Sequence, residues 1–112
     1  MEILNVEDKD YYEGKLFKVS LWNGAGYNTY EYIVYAGGEQ EALELAVMYA
    51  ERKDDPVLFD YWEIIDEADN EEDSEEYLDE NYIYIDATML GANEPWFVLR
   101  ENARVEEIKE EN

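Results

Sequence analysis

The chain has 112 residues, with 31 acidic and 8 basic side chains, no histidine and no cysteine, for a formal charge of −23. Without His and Cys the commonest general base, the commonest metal ligand and the thiol nucleophile are missing, so no enzyme activity, cofactor or metal site is expected. A surface this acidic is repelled by free nucleic acid and by anionic lipid.

Composition nevertheless argues against disorder. Hydrophobic residues make up 46% and aromatics 15%, with eleven tyrosines, whereas disordered chains are poor in both. One α+β domain spanning residues 1–112 is expected, mainly an antiparallel sheet of four to six strands with one helix on a face. The N-terminal residues lack a basic region and an apolar core, and no apolar run approaches the ~20 residues of a membrane span. A cytoplasmic home, in a bacterial host cell, is the expectation.

In chain order, Ile3, Leu4 and Val6 form a short apolar patch, followed by a charged stretch that ends at Gly14. Residues 16–22 alternate, with Phe17, Val19 and Leu21 on one side and Lys18 and Ser20 on the other, the pattern of a half-buried strand. Asn23-Gly24-Ala25-Gly26 supplies the positive φ of a hairpin turn, and residues 27–36 read as the returning strand. After Gly37-Gly38, residues 39–52 read as a helix. Its acids lie at the start, Arg52 and Lys53 lie at the end, and Ala42, Leu45, Ala46 and Tyr49 make an apolar stripe widened by Leu43 and Ala50. Asp54-Asp55-Pro56 stops it.

Residues 57–66 are aromatic and β-branched and read as a third strand. Residues 69–79 are the acidic low point, a loop or a short helix capped by Ser74. Residues 82–87 read as a fourth strand, with Ile83 and Ile85 on one face and Tyr82, Tyr84 and Asp86 on the other. A turn over 91–95 leads to a fifth strand at 96–100, and 103–108 is a sixth strand or a tail. The predicted order is β-β-α-β-β-β. The free face of such a sheet would accommodate many tyrosines, which pack a ring and keep a hydroxyl wet.

The charge is unevenly distributed. From Asp54 to Leu99 there is no basic residue and there are sixteen acids, eleven of them between Glu63 and Glu80. Uncompensated charge weakens the compact state, so a basic partner is the simplest reason for it. A calcium loop counted from Asp69 places acids at Asp69, Glu71, Asp73, Glu75 and Glu80, but Ser74 stands where the loop requires glycine, and no metal site is assigned. The reading that fits best is imitation of a nucleic-acid backbone. Alternate residues of a strand lie about 6.8 Å apart on one face, a separation comparable with that of neighbouring phosphates. Asp60, Glu63, Asp66, Glu67, Asp69, Glu71, Glu72, Asp73, Glu75, Glu76, Asp79 and Glu80 would line such a track. Tyr61, Trp62, Tyr77, Tyr82 and Tyr84 would serve as the aromatic anchors that convert steering into affinity.

Two stretches carry a resemblance. Lys15-Leu16-Phe17-Lys18-Val19-Ser20-Leu21-Trp22, with Tyr30-Glu31-Tyr32-Ile33-Val34-Tyr35-Ala36 and Glu41-Ala42-Leu43-Glu44-Leu45-Ala46, resembles the hairpin-then-helix opening of small domains carried by phages and mobile elements. The C-terminal Tyr84-Ile85-Asp86-Ala87, Trp96-Phe97-Val98 and Glu101-Asn102-Ala103-Arg104-Val105-Glu106-Glu107 are similar in character. The chain thus looks like the small acidic inhibitors of that origin, anti-CRISPR and anti-restriction proteins of the DNA-mimic type. That resemblance implies a basic nucleic-acid-binding partner, a Cas nuclease such as Cas9 or a restriction enzyme. For Cas9, the channel where paired arginines read the PAM duplex is the expected target. An immunity protein against a basic nuclease toxin, or a mobile-element accessory domain that binds without inhibiting, fits the same acidic surface.

Overall fold

The computed structural model describes residues 2–67 and 74–109, with only the backbone described at Glu67 and Ser74. It is α+β and antiparallel. Strands β1 (Leu16–Trp22) and β2 (Thr29–Tyr35) form the expected hairpin, closed by a turn with positive φ at Gly24 and Gly26. In that turn the Trp22 indole donates to the Gly26 carbonyl at 3.0 Å. Tyr27, assigned to the returning strand from sequence, sits in the turn fully exposed, because pairing begins at Thr29 opposite Trp22.

The register pairs Phe17 with Val34, Val19 with Tyr32 and Leu21 with Tyr30 on the inner face. Helix α1 (Glu39–Lys53) lies on that face. Its buried residues are Ala42, Leu43, Leu45, Ala46, Val47, Met48 and Ala50, a wider band than the sequence stripe. The extra breadth has a cause: α1 is also covered by the segment Tyr82–Ile85 and by the 3-10 turn Thr88–Leu90. Gly91 ends that turn at φ +125°, where an added Cβ would sit 3.1 Å from Arg52 and 3.2 Å from Met48. Helix α1 closes with Asp54 in the left-handed region, and the N–H groups of Asp54 and Asp55 bond the carbonyls of Glu51 and Ala50, a Schellman closure. Asp55 then accepts the Tyr32 hydroxyl at 2.6 Å. Burial first, and the bond to Asp55 second, push the Tyr32 pKa well above the ordinary tyrosine value.

One of the expected elements is different in kind. Residues 57–66 are not a strand. Val57 is buried, Phe59 alone exchanges two backbone bonds with Phe97 (2.9 and 2.8 Å), and the chain then turns into helix α2 (Tyr61–Glu67). The signal was present: Asp60 caps the helix, its Oδ1 accepting the Glu63 N–H at 2.8 Å. Aromatic β-propensity masked it. The acidic stretch that follows contains helix α3 (Ser74–Asn81), which settles the loop-or-helix alternative for 74–79, while 68–73 lie outside the described residues.

Strands β3 (Tyr82–Ile85) and β4 (Trp96–Leu99) make a separate two-stranded sheet, pairing Tyr82 with Leu99 and Tyr84 with Phe97. The last strand, β5 (Arg104–Ile108), does not extend it. It returns to pair with β1, giving the three-stranded order β2-β1-β5. Among the described residues the single sheet expected from sequence is therefore two sheets, and the one helix is three.

The free face of the larger sheet is not a tyrosine face. It presents Lys18, Ser20, Glu31, Arg104 and Glu106, and Lys18 pairs with Glu31 at 3.7 Å. Tyr12, Tyr32, Tyr35 and Tyr82 are buried instead. The open edge of β2 is shielded by the N-terminal segment. Leu4 N–H bonds the Ile33 carbonyl, and the buried Asn5 amide grips the Tyr35 backbone at both ends, donating to its carbonyl (2.9 Å) and accepting its N–H (2.7 Å). Asn5 thus acts as one residue of a strand, with both side-chain polar atoms satisfied.

Among the described residues no helix is long and apolar enough to cross a membrane.

A candidate acidic interface

The region 54–99 forms its own small apolar cluster. Ile64 of α2, Leu78 of α3 and Tyr82 of β3 are buried in it, with Phe59, Ile65, Tyr77, Phe97 and Leu99 packed around them. Tyr82 meets Phe59 edge-on at 5.6 Å and Tyr77 at 6.3 Å. This corrects two of the predicted anchors. Tyr82 is only 4% exposed and Tyr77 is half-buried, so both serve the cluster. Placed beside helices that bury one residue each, their rings are the apolar mass that holds α2 and α3 to the hairpin.

The acids on these helices face outward. Glu63 and Asp66 on α2 are exposed, as are Glu75, Glu76, Asp79 and Glu80 on α3. Glu67 lies on the last turn of α2, and Asp69, Glu71, Glu72 and Asp73 lie outside the described residues. The described acids do not form the alternating strand track. They sit at helical spacing, where side chains three and four apart have Cβ atoms about 5–6 Å from each other. Glu75 and Asp79, Glu76 and Glu80, and Glu76 and Asp79 are such pairs, each a like-charge pair costing about 0.2–0.5 kcal/mol in an isolated helix.

Helix α3 carries a second penalty. Its last turn contains Asp79 and no base, where the macrodipole favours a cation. The compensation comes from Arg100, just past β4. Its Nη2 donates to the carbonyls of Asp79 and Tyr82, each at 2.9 Å, and its backbone N–H bonds the Asn81 carbonyl. The first base after the acid-only stretch is thus bound to the helix end.

Other acids in the stretch hold the chain together. Asp60 caps α2, and Asp86 accepts both the N–H and the hydroxyl of Thr88. Those bonds hold the Asp86 carboxyl below its usual pKa. From α1, Glu51 accepts the Trp96 indole at 2.7 Å and the Asn93 N–H at 2.9 Å, tying β4 to the main core. Burial alone would raise its pKa, but the Trp96, Asn93 and Glu94 donors together with Arg52 outweigh it and lower the value.

Three predicted anchors remain accessible: Tyr61 (44%), Trp62 (72%) and Tyr84 (56%). The fold brings them together. Tyr61 and Trp62 are an edge-on pair at 5.2 Å on the first turn of α2, and Tyr84 leans on Phe97 across the hairpin at 5.2 Å. These four rings, with Asp60, Glu94 and Pro95, line an open groove of about 400 Å³. Phe97, Glu94 and Pro95 were not among the site residues expected from the sequence. Phe97 would have followed from the cross-strand register, but the ten residues between β3 and β4 conceal that register.

Among the described residues no group of three or more His, Cys, Asp or Glu is placed to hold a metal ion. Comparison with known proteins finds no matching family model, no matching curated protein and no matching solved structure.

Proposed function

We propose that this protein is a binding module whose acidic face occupies the nucleic-acid-binding surface of a basic protein, inhibiting a bacterial defence nuclease of the Cas or restriction type. The observation that carries the reading is the stretch from Asp54 to Leu99, sixteen acids without a base, whose described members on α2 and α3 point to solvent. Arg100, the first base beyond it, is already bonded to the end of α3. Like charges at helical spacing cost stability, and a complementary basic channel relieves that cost on binding. Association with such a partner is fast and salt-sensitive, because exposed charges are screened beyond about 8 Å at physiological ionic strength. The proposed activity has no chemical step, in keeping with a chain that lacks His and Cys.

The test uses purified nucleases of both types, with a basic nuclease toxin as the immunity-protein alternative. The expected outcome is that the protein blocks DNA binding by one of them and that duplex DNA displaces it. The variant Asp66→Lys/Glu76→Lys/Asp79→Lys/Glu80→Lys should lose at least about tenfold in affinity, since charge pairs at protein interfaces couple strongly. Circular dichroism checks that it still folds. Undiminished inhibition by the folded quadruple variant would falsify the reading.

A further inference from the structure

The aromatic groove beside the acidic helices has a composition that general charge attraction does not need. We infer that it is a receptor for a single arginine side chain of the basic partner, an inference that rests on the acidic-face reading and specifies how that face holds its partner. Three features point to this occupant.

The first is the aromatic lining. The Tyr61–Trp62 and Tyr84–Phe97 ring pairs both line the groove, and Tyr61, Trp62 and Tyr84 are 44–72% exposed. Aromatic faces left in water at one place mark a surface that is covered in a complex. The second is the charge in the lining. Asp60 and Glu94 border the groove. Asp60 uses Oδ1 to cap α2, which fixes the carboxylate and leaves Oδ2 for a donor. The third is the setting. The groove lies inside the stretch that has no base, so a cation is the favoured guest and an anion is repelled.

A cation between aromatic faces and carboxylates describes arginine better than lysine. The guanidinium is planar and weakly hydrated, so it stacks on a ring while its N–H fork reaches a carboxylate. The lysine ammonium is a compact, strongly hydrated charge that loses more on leaving water. Arginine is also the side chain with which DNA-binding proteins most often read guanine. A protein that competes with nucleic acid gains by capturing such a residue.

The experiment titrates the full chain with hexa-arginine and hexa-lysine amides at physiological salt, following heat and the Trp62 indole N–H signal. The indoles of Trp22 and Trp96 are engaged by Gly26 and Glu51, so Trp62 is the exposed reporter. Hexa-arginine is expected to bind about fivefold tighter and to shift the Trp62 signal. Trp62→Ala and Tyr84→Ala should each lower hexa-arginine affinity by a larger factor than hexa-lysine affinity, removing that preference. Equal affinity of the two peptides for the native chain overturns the arginine receptor and leaves the acidic face standing. So does an equal loss for both peptides in Trp62→Ala. Binding of neither peptide overturns the acidic-face reading itself.

Discussion

The two halves of this protein are stabilised in opposite ways. In the half built from β1, β2, α1 and β5, a helix with seven buried residues packs on a three-stranded sheet, and all the bases but Arg100 lie in its elements or the segments that flank them. In the half built from α2, α3 and the β3–β4 hairpin, three residues are buried in a satellite cluster and the charge is of one sign. The first half holds itself together by apolar area. The second is held by a few rings, one capping arginine and its attachment to the first, while its own charges push it apart. A region with little buried area opens at lower free energy than the core it leans on. The acidic face is therefore the part of the molecule most able to gain from a partner.

The sharpest way to break that comparison is to remove one buried aliphatic side chain from each half. Leu21→Ala and Ile64→Ala each delete a fully buried side chain, a change that costs about 2–5 kcal/mol. The expected readouts differ. Leu21→Ala lowers the melting temperature of the whole chain. Ile64→Ala strips hydrogen-exchange protection from α2 and α3 and leaves β1 and β2 protected. Equal loss of protection in both halves would show that they open as one unit.

A smaller effect is expected at the junction. Arg100→Ala removes the donor to the Asp79 and Tyr82 carbonyls and should cost α3 about 1–2 kcal/mol. High salt should recover part of the loss, by screening the acids that Arg100 offsets. Unchanged exchange of the α3 amides would remove Arg100 from this role.

The smallest effect concerns the tie between the halves. Glu51 has a lowered pKa in the folded state, so its contribution is present above its unfolded value, about 4.3, and is lost as pH falls through the folded value. Glu51→Gln should thus be less stable than the native chain near neutrality, by less than about 1 kcal/mol, with the gap closing in acid. Taking the difference between the two proteins separates this from the general relief of repulsion as the other carboxylates protonate. A gap that stays constant from pH 7 to pH 3 would exclude the carboxylate as its source.

Much of the first half was legible in the residues. The alternation of Phe17, Val19 and Leu21, the Gly24 and Gly26 turn and the charge order of α1 are local signals, and the structure follows them. In the second half, local signals conflicted. Tyr61, Trp62, Ile64 and Ile65 have the side chains of a strand, and the Asp60 cap makes them a helix. The acidic character of the candidate interface was visible as composition. Its aromatic groove was not, because it needs Tyr84 and Phe97 in register and α2 beside them.

The sequence by itself determined the α+β class, the first hairpin, the main helix and the sign of the surface, because each depends on neighbours in the chain. Tertiary structure decided which acids are structural and which face outward, which tyrosines are core and which are accessible, and that β5 joins β1 instead of β4. Those outcomes depend on contacts between distant residues: Asn5 with Tyr35, Glu51 with Trp96, Arg100 with the end of α3. Periodicity along a chain reports which side of an element is apolar, and only packing settles what that side meets.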